Sequence, residues 1–192
     1  LREKLGDGQY TIHHTDILAF EYREAGFPLH VVGNLPYSIG APIIKKTLLY
    51  GNEILSCTFM VQREVAERIV SEPHCKTNGF LTIFCAFFGK PKLLFHVPPG
   101  AFFPRPNVDS SVFQIIVDKN VTGKLQRERW EEFFGLVSKG FSQRRKTLVN
   151  VLGTDTASKD KFSSVIKSIG LNPLSRPEDL GISDWLNLYK SL

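Results

Sequence analysis

The 192-residue sequence has three cysteines, one methionine and no apolar run near the ~20 residues a bilayer-crossing helix requires. A transmembrane helix is therefore not expected. Cys57, Cys75 and Cys85 form no CxxC pair and are odd in number, which argues against a disulfide framework. A reduced, cytoplasmic setting with all three as small buried apolar residues is expected instead. His74 adjoins Cys75, but no second pair follows at zinc-finger spacing, so no metal is expected. Also missing are internal repeats, low-complexity tracts and a glycine-rich turn behind a strand. Gly6-Asp7-Gly8 precedes a strand and is not a cofactor cradle. The start, Leu1-Arg2-Glu3-Lys4-Leu5, carries an acid and no long apolar stretch behind it. It reads as an interior start and not as a signal peptide.

What is present is an ordinary globular composition, 42% hydrophobic and 22% charged, with a net charge of +5. Residues 124–192 hold twelve Lys or Arg against eight Asp or Glu, so most of the excess positive charge lies there. Such a balance permits a polyanionic partner without requiring one.

Residues 9–17 read as a strand ending at Asp16, with His13 and His14 as strand residues. Val31-Val32 reads as a short buried strand running into Gly33-Asn34-Leu35-Pro36-Tyr37. Helical spacing follows over 39–50, a β-branched apolar run over 56–62, and a helix over 63–70. This alternation predicts an α/β domain with a largely parallel sheet. Strands at 92–97 and 110–117 flank a proline-dense loop and suggest an antiparallel pair at the sheet edge. Residues 118–123 are a candidate boundary, and everything beyond reads as helical. Trp130, Phe133, Phe134, Val137 and Phe141 form one apolar face. Ser142 is a candidate N-cap for a helix to Leu152, Phe162 to Ile169 mark another helix stopped by Gly170 and Pro173, and Ser183 is a candidate cap for the last.

Asn34-Leu35-Pro36-Tyr37 carries the most chemistry. The Asn amide oxygen accepts a hydrogen bond, and the carbonyl before proline is held extended and accepts another. The tyrosine adds a flat apolar face. An adenine exocyclic amine is a poor nucleophile because its lone pair is delocalised into the ring. Two acceptors on its hydrogens favour the pyramidal form and aim it at a methyl donor, while the ring stacks a base that has left its helix. A proline-containing turn after a strand is the plain alternative.

Three further segments join this one. They are Met60-Val61-Gln62-Arg63-Glu64-Val65-Ala66-Glu67-Arg68; Val97-Pro98-Pro99-Gly100-Ala101-Phe102 with Pro104, Pro106, Val108, Asp109 and Ser110; and Phe141-Ser142-Gln143-Arg144-Arg145-Lys146-Thr147-Leu148. In this order and spacing, the chain resembles the rRNA adenine N6,N6-dimethyltransferase family over nearly its whole length. The resemblance implies a Rossmann-like S-adenosylmethionine methyltransferase sheet, incomplete at its N-terminal half, over 1–120. It implies a small all-α rRNA-binding domain over 124–192. It assigns Asn34, Leu35, Pro36 and Tyr37 to the catalytic loop, Tyr37 and Phe102 to stacking on the target base, and Asp16 and Asn34 to the S-adenosylmethionine side. Arg144, Arg145 and Lys146 are assigned to rRNA phosphates, with no metal. The implied activity is dimethylation of two adjacent adenosines in small-subunit rRNA, on a pre-30S-like particle. Phe102 as core filler, Arg63 to Arg68 as a solvated helix face with i,i+4 pairs, and the Arg-Arg-Lys run as a wet surface remain open beside these roles.

The family begins with a glycine-rich turn and an acid-ended strand that these residues do not contain. A truncated chain is therefore expected, inactive by itself, with its first ~25 residues displaced, mobile or paired with another molecule, and an exposed strand edge that invites dimerisation. A macrolide-resistance type of large-subunit rRNA methyltransferase is the neighbouring alternative. A non-catalytic RNA-binding or transcription factor derived from the family is the more distant one.

Overall fold

The computed structural model describes residues 10–192. One sheet is built from β1 (Leu29–Asn34), β2 (Ile54–Gln62), β3 (Lys92–Val97) and β4 (Ser110–Ile116), in the order β1-β2-β4-β3. Helix α1 (Gly40–Leu48) carries the chain from β1 to a parallel β2. Helices α2 (Arg63–Ile69) and α3 (Phe80–Phe88) lie between β2 and β3. β4 is antiparallel to both of its neighbours. The expected largely parallel sheet is thus corrected, since one of its three pairings is parallel. The antiparallel edge pair stands as read, because its twelve-residue connection contains no crossover helix.

Helix α3 escaped the sequence reading, which looked for a polar face. Its nine residues, FLTIFCAFF between Gly79 and Gly89, carry no charge, and Ile83, Phe84, Cys85, Phe87 and Phe88 are all buried. A helix apolar on every side has no amphipathic period to detect. It packs between the sheet and helix α5 (Trp130–Phe141). The Phe87 ring lies 5.3 Å from Trp130, 5.4 Å from Phe133 and 5.2 Å from Phe134. Burying each such ring contributes about 1.5–3 kcal/mol. Residues 118–123 contain the short helix α4 (Lys119–Thr122), and one apolar cluster continues from β2 and α3 into α5 and the C-terminal helix. Gly51 lets the chain come this close: at φ 63°, a Cβ there would lie 2.8 Å from the Trp130 ring.

The remaining helices are α6 (Leu148–Leu152), α7 (Thr156–Ser168) and α8 (Ile182–Lys190). Two expected caps are corrected. Ser142 ends α5, its hydroxyl donating back to the Lys139 carbonyl, and Thr147 is the residue that opens α6. Ser183 lies inside α8, where Gly181 takes the cap position and donates its N–H to Asp184. Gly170, at φ 80°, follows the end of α7 as expected. No described helix is long and apolar enough to cross a membrane.

The N-terminal expectation also changes. Among the described residues, 10–17 form no strand, so His13 and His14 are not strand residues; Gln9 and Gly6-Asp7-Gly8 lie outside the described residues. The chain turns at Asp16, whose Oδ1 accepts from the Leu18 N–H at 2.9 Å. The following segment docks on α1: Lys46 donates to the Leu18 and Phe20 carbonyls, and the Tyr22 hydroxyl bonds Thr47. β1 pairs with β2 alone and has no described strand on its other edge. None of its residues is buried and Val32 is 79% exposed, which corrects the expected buried strand. Cys57 and Cys85 are buried as expected, but Cys75 is exposed.

Candidate functional site

The end of β1 and the loop after β3 meet at one cleft. Leu35 donates its N–H to the Met60 carbonyl, extending the β1–β2 pairing by one residue beyond Asn34. Gly33 suits this approach, because a Cβ there would lie 2.9 Å from Leu35 Cδ2 and 3.3 Å from the Phe59 ring and would push those side chains aside. Leu35 is itself 6% exposed and seats the turn in the core. Proline then removes a donor, the Pro36 carbonyl accepts from the Ile39 N–H, and α1 begins at Gly40. The short turn leaves Asn34 and Tyr37 facing outward on a rigid base.

The opposite wall is the proline-rich loop. A 3-10 turn at Pro99–Ala101 leads into Phe102, and the Phe103–Pro104 peptide is cis. Phe102 is half-buried, whereas Phe103 projects fully into solvent. The loop is fastened where it returns to the sheet: the Asp109 carbonyl accepts from the Arg63 N–H at 2.9 Å. The Arg63 side chain also lies 3.9 Å from the Asp109 carboxylate. Asn34, Leu35, Pro36, Tyr37, Phe102, Pro104 and Pro106 together line an open cleft of about 320 Å³. Five residues predicted from two distant segments are therefore brought together. Their walls are aromatic and apolar, with amide and carbonyl acceptors at one end, which suits a flat heterocycle bearing an amine. Among the described residues, no carboxylate or imidazole lines the cleft.

Asp16 lies apart, exposed on its own turn and outside this lining. Arg144, Arg145 and Lys146 sit in the turn between α5 and α6, and not on the helix the sequence suggested. All three are exposed, but Arg144 is occupied: its Nη2 donates to the carbonyls of Lys76 and Asn78. Asn78 in turn donates its side-chain amide to the Glu178 and Leu180 carbonyls. Arg144 thus ties the 76–78 loop to the helical region. No motif marked that clamp, because its partners are backbone atoms 66 and 68 residues away in sequence. Ser110, which the sequence placed in the proline-rich segment without a role of its own, has its Oγ 2.6 Å from the Tyr37 hydroxyl.

On α2, Arg63 pairs with Glu67 and Arg68 with Glu64, each at 2.7 Å on an exposed face. That is the solvated i,i+4 pairing the spacing predicted. The Glu67 carboxylate raises the Arg63 guanidinium above its ordinary range. A larger cavity, about 510 Å³, opens among α2, α3, α4 and the start of α8, with walls such as Ile69, Ile83, Val121 and Leu186. None of the motif residues reaches it. No group of three or more metal-ligating His, Cys, Asp or Glu side chains occurs among the described residues.

Comparison with known proteins follows the same outline. A family model described as ribosomal RNA adenine dimethylase matches residues 1–192. A ribosomal RNA small subunit methyltransferase A from Chromobacterium violaceum is 40% identical over 184 residues, covering 95% of this chain and 67% of the relative. A protein of the same name from Clostridium botulinum is 34% identical over 189 residues, covering 96% and 68%. The chain thus spans about two thirds of the length of these relatives. Among solved structures, a dimethyladenosine transferase from Plasmodium falciparum superposes with a TM-score of 0.70 at 23% identity, over 84% of this chain and 67% of that one. The 23S rRNA methyltransferase ErmE gives 0.65 at 20% identity, over 94% and 70%. Both likenesses support the methyltransferase fold.

Proposed function

The chain belongs to the ribosomal RNA adenine dimethylase family, and from that premise we propose that its cleft holds a flipped adenine of small-subunit rRNA for methylation at N6. The observation that carries this is the meeting of Asn34-Leu35-Pro36-Tyr37 with Phe102 around one open, apolar cleft. In this reading the Asn34 amide oxygen and the Leu35 carbonyl accept the two amine hydrogens, and Tyr37 and Phe102 take the faces of the base. The lone pair on nitrogen is then aimed outward. S-adenosylmethionine, when bound, supplies an electrophilic methyl group. Held by the Asn34 amide oxygen and the Leu35 carbonyl, the amine would accept that methyl group and release its proton to water. A second round on the same nitrogen gives the dimethyl product, and a neighbouring adenosine is treated likewise.

The lining fits the base that accepts the methyl group better than the donor, since no charged side chain in it would hold a sulfonium or a carboxylate. Asp16 is proposed to meet the donor's adenine and Asn34 to stand where donor and amine meet. Residues 1–120 act as the methyltransferase part and 124–192 as the rRNA-binding part, with Arg145 and Lys146 on phosphates and Arg144 beside them. A pre-30S-like particle in the cytoplasm is the substrate. The edge of β1, beside which no strand lies among the described residues, is a surface on which two copies would pair in a dimer.

The test is incubation with unmodified small ribosomal subunits and methyl-labelled S-adenosylmethionine, beside a calorimetric titration of the cofactor alone. Label on adenosine N6 of small-subunit rRNA is expected from the catalytically complete protein. Label confined to large-subunit rRNA would replace this reading with the macrolide-resistance type. Cofactor binding without transfer to any RNA would overturn it.

A further inference from the structure

We propose that Ser110 is a positioning residue for Tyr37, setting the angle at which its ring meets the target base. The proposal rests on the base-holding reading of the cleft. Ser110 is the first residue of β4 and is fully buried. Its backbone is fixed from both sides, in register with Gln62 on β2 and Val97 on β3. Its Oγ is therefore a stationary point. Tyr37 is 39% exposed on a surface turn, and a tyrosine side chain turns about two torsions. Left to itself, the ring would sample several orientations. The 2.6 Å hydrogen bond at its far end removes that freedom. A phenol anchored at both ends presents one face to the cleft, and its hydroxyl is used inward and not on the ligand.

The same strand start fixes the other wall. Ser111, also fully buried, has its Oγ 2.8 Å from the His96 Nδ1 on β3, just before the proline-rich loop departs. The Asp109 carbonyl is held by Arg63. Three consecutive residues, Asp109, Ser110 and Ser111, thus fasten α2, the Tyr37 turn and β3 to one point. The gap between Tyr37 and the loop bearing Phe102 is set by the start of β4. Buried hydroxyls at a strand end are otherwise a cost, because each must find a partner. Here one partner, Tyr37, lines the cleft, and the other, His96, lies on β3 just before the loop that bears Phe102.

The test uses this chain and an rRNA hairpin with 2-aminopurine at the target adenosine, whose fluorescence is quenched on stacking. Ser110→Ala and Tyr37→Phe are each expected to weaken the quench-reported affinity about fivefold, the worth of one hydrogen bond. The double variant should be no weaker than either single one, since both remove the same contact. Ser110→Thr, which keeps the hydroxyl, should restore binding. The surface variant Tyr37→Phe keeps the ring and the core and so carries the test even if Ser110→Ala folds poorly. If Ser110→Ala costs as much in the Tyr37→Phe background as in the wild type, the serine serves packing alone and the proposal fails while the cleft reading stands. Absence of quenching by the unsubstituted chain would overturn both.

Discussion

In the proposed reading, the target cleft and the basic turn assign recognition to opposite kinds of structure. At the cleft, residues from the end of β1 and the loop after β3 are held by a buried leucine, three main-chain hydrogen bonds and a tyrosine–serine contact. At the turn, Arg144, Arg145 and Lys146 are all exposed, and among the described residues only the Arg144 side chain of the three has hydrogen-bonded partners. Aiming a lone pair at a methyl group fails with misplacement of about an ångström, so its residues sit on strand ends. Attraction to a phosphate backbone depends on charge over longer distances and tolerates a mobile side chain. The difference also separates neighbours within one motif, because Arg144 belongs structurally to the first kind.

The sharpest way to break this comparison is Asn34→Ala in the catalytically complete protein. It should lower the methylation rate about 10²- to 10³-fold, as loss of an acceptor at the reacting group does, with rRNA affinity changed by less than about twofold. Equal losses in rate and affinity would return Asn34 to a binding role. A smaller effect is expected from replacing Arg145 and Lys146 together by alanine. The slope of log affinity against log salt should flatten by about one to two units, while the rate at saturating RNA is kept. An unchanged slope would mean that the turn is only a wet surface. Arg144→Ala should have the least effect on RNA and the most on stability, about 1 kcal/mol by urea denaturation for the lost hydrogen bonds. Thiol labelling gives a local readout of the same change. Burial pushes the Cys57 thiol up to about 12 and raises Cys85 as well, so exposed Cys75, next to the clamped loop, is the thiol that reagents reach at neutral pH. Its labelling should quicken in Arg144→Ala, whereas a salt slope that fell without any such change would make Arg144 a phosphate ligand after all.

Local signals were legible where one stretch of chain fixes its own structure. The helix over Gly40–Leu48, the strand over Ile54–Gln62, the paired charges of Arg63–Ile69 and the face of Trp130–Phe141 all follow from spacing alone. Signals failed where neighbours decide. The stretch 10–17 reads as a strand by residue type, but among the described residues it forms none, because a strand exists only where a neighbour accepts its backbone hydrogen bonds. Phe80–Phe88 has no polar face to betray its period, since α5 covers the side that water would otherwise meet. Ser142 and Ser183 look like caps, but a cap is defined by where the helix starts, and packing moved both starts.

Of the site, the sequence by itself determined its chemical content: an amide and a carbonyl acceptor before a proline, two aromatic rings and a basic run, each set by residue type and order. The tertiary structure decided which of these meet. Asn34 and Phe102 lie 68 positions apart, and only the antiparallel return of β4 beside β2 brings the proline-rich loop over the end of β1. It also decided that Tyr37 has a fixed angle and that Arg144 is a clamp, because both depend on partners distant in the chain, and residue type gives no direction to a hydrogen bond.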